Sequence, residues 1–267
     1  MFCKDDSLTY LNHLGYNVIL TPREGLAPGL VLAGVKTALE RLGPLSDFVQ
    51  GSPPLPLVQG NLQAPNVSQK TSNKLGLDLG VNLLDRLLKA MNAGDGKIGA
   101  HYAKAANIEL VFEDVLLDIM DPSALGKYLG STQPVAVNPW LAHLDGPGKA
   151  YVVTEIIKSD KFGVVAYGEN SETLELDTKA IQQMLGGNAK VTQSGSRTRE
   201  LVYQGPKHLV FGFKAVEFWI DTKNQPPAFH LHLTGSILVA KGAAAPQASP
   251  LTTAILGKNQ LLELDGM

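Results

Sequence analysis

The most constraining stretch of this sequence lies between Ile108 and Ile119. Ile108, Leu110 and Phe112 recur every second residue, and so do Val115, Leu117 and Ile119. A period of two belongs to an extended strand with one face buried and excludes a helix. The two halves are out of phase across Glu113-Asp114. A slip of one residue turns the whole apolar set to the other face, so the pattern predicts one long strand interrupted by a β-bulge or a strong bend.

A further strand is expected at Tyr16 to Leu20, stopped by Thr21-Pro22, and Leu30 to Val35 is a second apolar run. Other strands are Leu201 to Tyr203, Leu209 to Ile220 and Phe229 to Leu233, several rich in aromatic residues. Tyr151 to Ile157 and Phe162 to Tyr167 read as a hairpin turning at Lys158-Ser159-Asp160-Lys161. Helices are expected at Ser7 to Leu14, at Val81 to Asn92 before Gly94-Asp95-Gly96, after Asp121-Pro122, and at Thr178 to Leu185. The Pro- and Gly-rich stretch Gly51 to Asn73 reads as a long connection. Strands with interspersed helices and no βαβ rhythm predict an α+β fold around a twisted, mainly antiparallel sheet with peripheral helices.

A formal net charge of −2 with scattered basic residues lacks the basic footprint that nucleic acid requires. The charged opening, Met1-Phe2-Cys3-Lys4-Asp5-Asp6, does not read as a signal peptide. No run approaches the roughly 18 apolar residues of a membrane helix, so a chain made in the cytosol is expected. Membrane β-strands escape that test, because their signal per segment is weak.

The usual catalytic signatures are missing, and the chain is not expected to be an enzyme. His230-x-His232 puts two imidazoles on one strand face, but no third ligand stands at a telling spacing, so no metal and no cofactor is expected. The acid pairs Asp5/Asp6 and Glu113/Asp114 have no catalytic partner in view.

The lone cysteine, Cys3, excludes an internal disulfide. At a loose terminus it lacks the base and scaffold of a nucleophile, which leaves an inert residue or an S-acylation site. The last residues change texture. Residues 1–240 read as the body and 241–250, rich in Ala, Gly and Pro, as a flexible cleavable linker. Residues 251–267 read as an apolar terminal peptide carrying Leu251, Ile255, Leu256, Leu261, Leu262 and Leu264. Such a peptide either docks on the body or completes its core as an ordinary terminal element.

The stretch from Tyr10 to Val18 followed by Pro22-Arg23, and the stretch Leu39 to Asp47, resemble the opening of bacterial gasdermins. Gly76 to Leu84, Phe112 to Val115 and Val210 to Ala215 continue the likeness in the same order over essentially the whole chain. The resemblance implies a pore-forming protein with a palmitoyl group on Cys3, cytoplasmic until a caspase-like or trypsin-like protease removes the autoinhibitory terminal peptide. It further implies that the body then joins copies of itself into large rings in the lipid of the inner membrane, killing the cell as a defence against phage. One departure bears on the protease: no Asp occurs between Thr222 and Leu264. Lys241 and Lys258 remain as targets for a protease that prefers basic residues, and the bond Lys241-Gly242, in the flexible linker, is the expected cut. The competing reading is a non-lytic module that holds a hydrophobic ligand beneath the tail as a lid. A weaker one is an enzyme built around His230, His232 or the acid pairs.

Overall fold

The computed structural model describes residues 14–35, 38–64, 73–92, 98–135, 144–147, 150–185, 189–193, 199–221, 227–233, 236–239, 256 and 262–265. Two long strands form its axis: β8 (Ala150–Tyr167) and β10 (Leu201–Asp221), paired antiparallel along most of their lengths. One side of β8 is lined end to end by β6 (Asn107–Glu113) and β7 (Leu116–Met120). Further along β8, β2 (Leu30–Val35) joins it, followed by β3 (Ala38–Pro44). The outer side of β10 takes β11 (Ala228–Leu233) and then β12 (Ser236–Val239). β1 (Asn17–Arg23) and β9 (Lys190–Gln193) also pair with β10, while β5 (Asn73–Gly76) extends the sheet from β6. The sheet is mainly antiparallel and, with three α-helices among the described residues, the chain has the expected α+β architecture.

The break at Glu113-Asp114 is the bend, not the inserted residue. Glu113 sits opposite Lys161 and Leu116 opposite Lys158, three steps on each strand, so the count along β8 is kept. Asp114 makes the bend with a left-handed φ of 47°, a conformation that Asp tolerates better than most residues.

The expected hairpin at Lys158 to Lys161 does not form; β8 runs straight through it. Neighbouring strands give those polar residues partners in place. Lys158 Nζ lies 2.6 Å from Asp118 of β7, and Lys161 Nζ lies 2.6 Å from Asp114. The Ser159 hydroxyl accepts from the Lys161 N–H at 2.9 Å. The gap between Leu201–Tyr203 and Leu209–Ile220 is also closed, as β10 carries Gly205 to His208 as an outward bulge against Asp160 alone. That carboxylate accepts from Gln204 at 3.1 Å and lies 3.7 Å from His208. Pro22 does not end β1, which continues to Arg23 with its register broken between Val18 and Arg23. Within the expected connection Gly51 to Asn73 lies a further strand, β4 (Val58–Gln63), an edge strand exposed throughout and paired with β7. Of the expected first helix only Leu14 is described; its other residues, and Gly94-Asp95-Gly96, lie outside the described residues.

Helix α1 (Leu77–Ala90) buries Leu84, Leu87 and Leu88 in a cluster with Phe162, Val164 and Tyr203. α3 (Thr178–Leu185) adds Ile181 and Leu185 to the same cluster. α2 (Pro122–Gly130) starts as its sequence dictates, with the Asp121 carboxylate accepting the Ser123 N–H at 2.8 Å and proline at the first position. It covers a second cluster on β8, β10 and β11, containing Val152, Phe218 and Phe229. A third cluster lies beneath β1 and is where the end of the chain returns.

Candidate functional site

Glu263–Asp265 forms β13, which pairs in parallel with β3, placing Glu263 beside Ala38, Leu264 beside Leu39 and Asp265 beside Glu40. The last described residues are thus the outermost strand at this end of the sheet. Leu262 is fully buried, and its N–H donates to the Val18 carbonyl at 2.8 Å, next to a bridge between Leu262 and Ile19. Leu262 and Leu264 pack with Ile19, Leu32, Leu39, Tyr151, Val153 and Phe213. Leu256, half-buried, packs against the same cluster.

A polar joint underlies this apolar contact. Asn17 is 1% exposed; its Oδ1 accepts the Leu256 N–H at 2.8 Å and its Nδ2 donates to the Phe213 carbonyl at 3.4 Å. Beside it the Tyr16 hydroxyl donates to Glu155, whose other carboxylate oxygen receives Lys214 Nζ at 3.2 Å. The same ammonium lies 4.4 Å from the Tyr16 ring centre, a cation–π contact. Burial, then the hydrogen bond to Glu155 and its charge, push the Tyr16 hydroxyl well above the ordinary tyrosine range. Each member is paired, so the joint fixes β1 on β8 and β10 while β1 in turn holds the tail.

Of the expected tail contacts, Leu256, Leu262 and Leu264 meet at this site. Leu251, Ile255 and Leu261 lie outside the described residues, as do Cys3 and the expected cut at Lys241-Gly242. His232 Nδ1 lies 3.0 Å from Glu217, whereas His230 stacks on Trp219 with centroids 5.4 Å apart and lies 3.9 Å from Asp221. Among the described residues no group of three or more His, Cys, Asp or Glu is placed to hold a metal. Glu113 and Asp114 sit at the bend, where Asp114 pairs with Lys161.

Tyr16, Asn17, Glu155 and Lys214 are not singled out by their spacing. One signal is available: Glu155 interrupts the apolar run Tyr151 to Ile157 and Lys214 the run Leu209 to Val216 with opposite charges, and a buried charge needs a partner.

Residues 19–225 match the profile of the Bacterial Gasdermin Family. A gasdermin of Vitiosangium sp. (strain GDMCC 1.1324) is 36% identical over 267 residues, covering 99% of this chain and 98% of its own length. A gasdermin of a Desulfuromonadales bacterium is 35% identical over 226 residues, 83% of this chain and 84% of its own. The solved structure of a bacterial gasdermin from Bradyrhizobium tropiciagri superposes with a TM-score of 0.64 over 97% of this chain and 96% of that one. At 16% identity that likeness speaks for the fold. With the profile, two long relatives and the fold in agreement, this chain belongs to the bacterial gasdermin family.

Proposed function

We propose that this protein is a non-enzymatic pore former, stored closed by its own terminal peptide and opened when a protease cuts the linker at 241–250. The observation that carries the reading is the tail strand: β13 takes the outer edge of β3, and Leu262 and Leu264 complete a core cluster of the body. Held on the same chain, such a strand acts at an effective concentration of about millimolar, so modest contacts suffice to keep it docked. Cutting the linker makes the contact bimolecular, and the strand leaves. An unpaired edge and an apolar patch are then open to assembly.

The cut falls at Lys241-Gly242, because a trypsin-like protease finds a basic residue there and a caspase-like one finds no Asp between Thr222 and Leu264. Cys3 carries a palmitoyl group, each buried CH₂ of which favours lipid by about 0.8 kcal/mol. The uncut form is cytoplasmic. The cut form assembles in the inner membrane, where strands pairing between subunits satisfy the backbone as the hydrocarbon core demands. The resulting leak kills the cell and denies phage a host.

Dye release from liposomes tests the reading, comparing the full chain with the chain cut in the linker. Release after cutting supports it. Intact vesicles with a monomeric cut protein refute it and favour a non-lytic lid. Mass spectrometry showing a new end outside Ala240 to Thr252 refutes the assigned bond.

A further inference from the structure

The two ends of the main sheet are complementary, which bears on how copies join once the tail has gone. From β12 to β3 the path runs β12-β11-β10-β8-β2-β3. Every step is antiparallel. Five reversals leave β12 and β3 pointing in opposite directions. A second copy placed beside the first, related by rotation about an axis along the strands, brings its β12 antiparallel to the β3 of its neighbour. The sheet then continues across the junction with its alternation unbroken.

Both edges have backbone groups ready for this. The β2–β3 ladder closes at Val35 and Ala38 across two residues, so Leu39 turns its N–H and C=O away from β2. In the intact chain Leu264 lies beside it. The β11–β12 ladder closes at Leu233 and Ser236 in the same way, which turns the backbone groups of Ile237 and Val239 outward. Among the described residues no strand pairs with that outer edge. Its sequence, Ser236-Ile237-Leu238-Val239, has no charge and no proline, the usual devices that keep an edge from pairing.

We propose that the β3 edge uncovered by loss of the tail is taken by β12 of a second copy, head to tail, so that β13 is a stand-in for a neighbour's strand. The inference rests on the proposed removal of the tail and names the surfaces that removal brings together. An antiparallel junction replaces a parallel pairing that is slightly weaker per residue. The contact is heterologous, and only such a contact propagates into a ring. Pairing of β3 with another β3 would also be antiparallel, but it closes a dimer and leaves β12 unused.

The experiment uses the full chain with an added protease site in residues 241–250, cut in place on liposomes and in detergent. The native sequence is compared with the double substitution Ile237→Pro, Val239→Pro, which removes the outward donors and leaves those toward β11. Expected are large oligomers and dye release from the cut native sequence. The cut double variant stays small, and release falls by about tenfold or more, because each junction loses both outward backbone donors of β12. Mixed with uncut native chain, whose β3 is covered and whose β12 has no outer partner strand among the described residues, the cut variant forms a one-to-one pair. If proline lowers the melting temperature of the uncut form, Ile237→Lys repeats the test with an edge charge.

Assembly of the cut variants like the native sequence overturns this inference and leaves the pore reading standing. So does self-dimerisation of the cut variants. A cut native chain that stays monomeric and leaves vesicles intact overturns both.

Discussion

Leu262→Ala isolates the strength of the tail's grip. Leu262 is fully buried among Ile19, Leu39, Val153 and Phe213, whereas its backbone bond to Val18 does not depend on the side chain. Truncation of a buried leucine costs about 2–5 kcal/mol. At the low end, fitting for a segment able to relax at a sheet margin, about 2.5 kcal/mol raises the undocked population about 60-fold, at 1.4 kcal/mol per factor of ten. Amide hydrogen exchange reads that population directly. The Leu262 N–H and the Leu39 N–H should exchange about 60-fold faster, while amides in the middle of α1 keep their rates. Uncut protein should also leak dye slowly from liposomes without protease. Unchanged exchange at Leu262 and Leu39 refutes the docking energy, and an equal rise in α1 shows that the tail is an inseparable part of the global fold.

Three further outcomes follow from other contacts. Asp118→Ala strands Lys158, whose side chain is only 17% exposed, beside the Asn61 N–H that the carboxylate also accepts at 2.8 Å; a loss of about 1–3 kcal/mol is expected in urea unfolding, with Lys158→Met milder because Asp118 then keeps its bond from the Asn61 N–H. Tyr203→Phe removes one of two buried hydroxyls that meet at 2.8 Å and leaves Tyr102 without that partner, so about 1–3 kcal/mol should disappear from the unfolding free energy, and an unchanged midpoint counts against the pair. Burial and the neighbouring Tyr203 raise the Tyr102 hydroxyl well above its ordinary value, and Tyr16 is raised too. Because the folded state holds these protons more tightly, their stabilisation is complete below about pH 10 and is lost as pH climbs toward the folded values; absorbance at 295 nm should show late-titrating tyrosines that appear together with unfolding.

The local pattern made much of this fold readable. The continuous apolar run at Leu30–Val35, the period-two run at Ala228–Leu233, the Asp121-Pro122 start and the α3 span are decided by neighbours within a few residues, and the structure follows them. The failures share a cause. Lys158 to Lys161 look like a turn because four polar residues in a row separate two apolar runs. They lie within a strand because Asp118, Asp114 and the β10 bulge meet them from strands on either side. β4 was hidden for the converse reason, since a strand exposed on both faces carries no alternation to detect. At the candidate site the apolar tail residues stand out in the sequence, but the parallel seat on β3 depends on a pairing more than two hundred residues away. Asn17 was hidden too, because its two partners, Leu256 and Phe213, are remote in sequence.

The size of the docked segment bears on whether the proposed cut would act as a switch. Among the described tail residues two buried leucines, Leu262 and Leu264, contribute about 1.5–3 kcal/mol each, and β13 adds a ladder of three residues. For two separate molecules, association alone costs about 4–15 kcal/mol, which meets or exceeds that gain. The same contacts on one chain avoid most of that cost. The tail is therefore held by the covalent link as much as by its packing, and severing one peptide bond removes the larger share of its hold without altering a single contact. A longer strand with more buried leucines would stay bound after cutting and the switch would jam. A shorter one would fray, leaving Leu39 and the β3 edge open in the uncut protein.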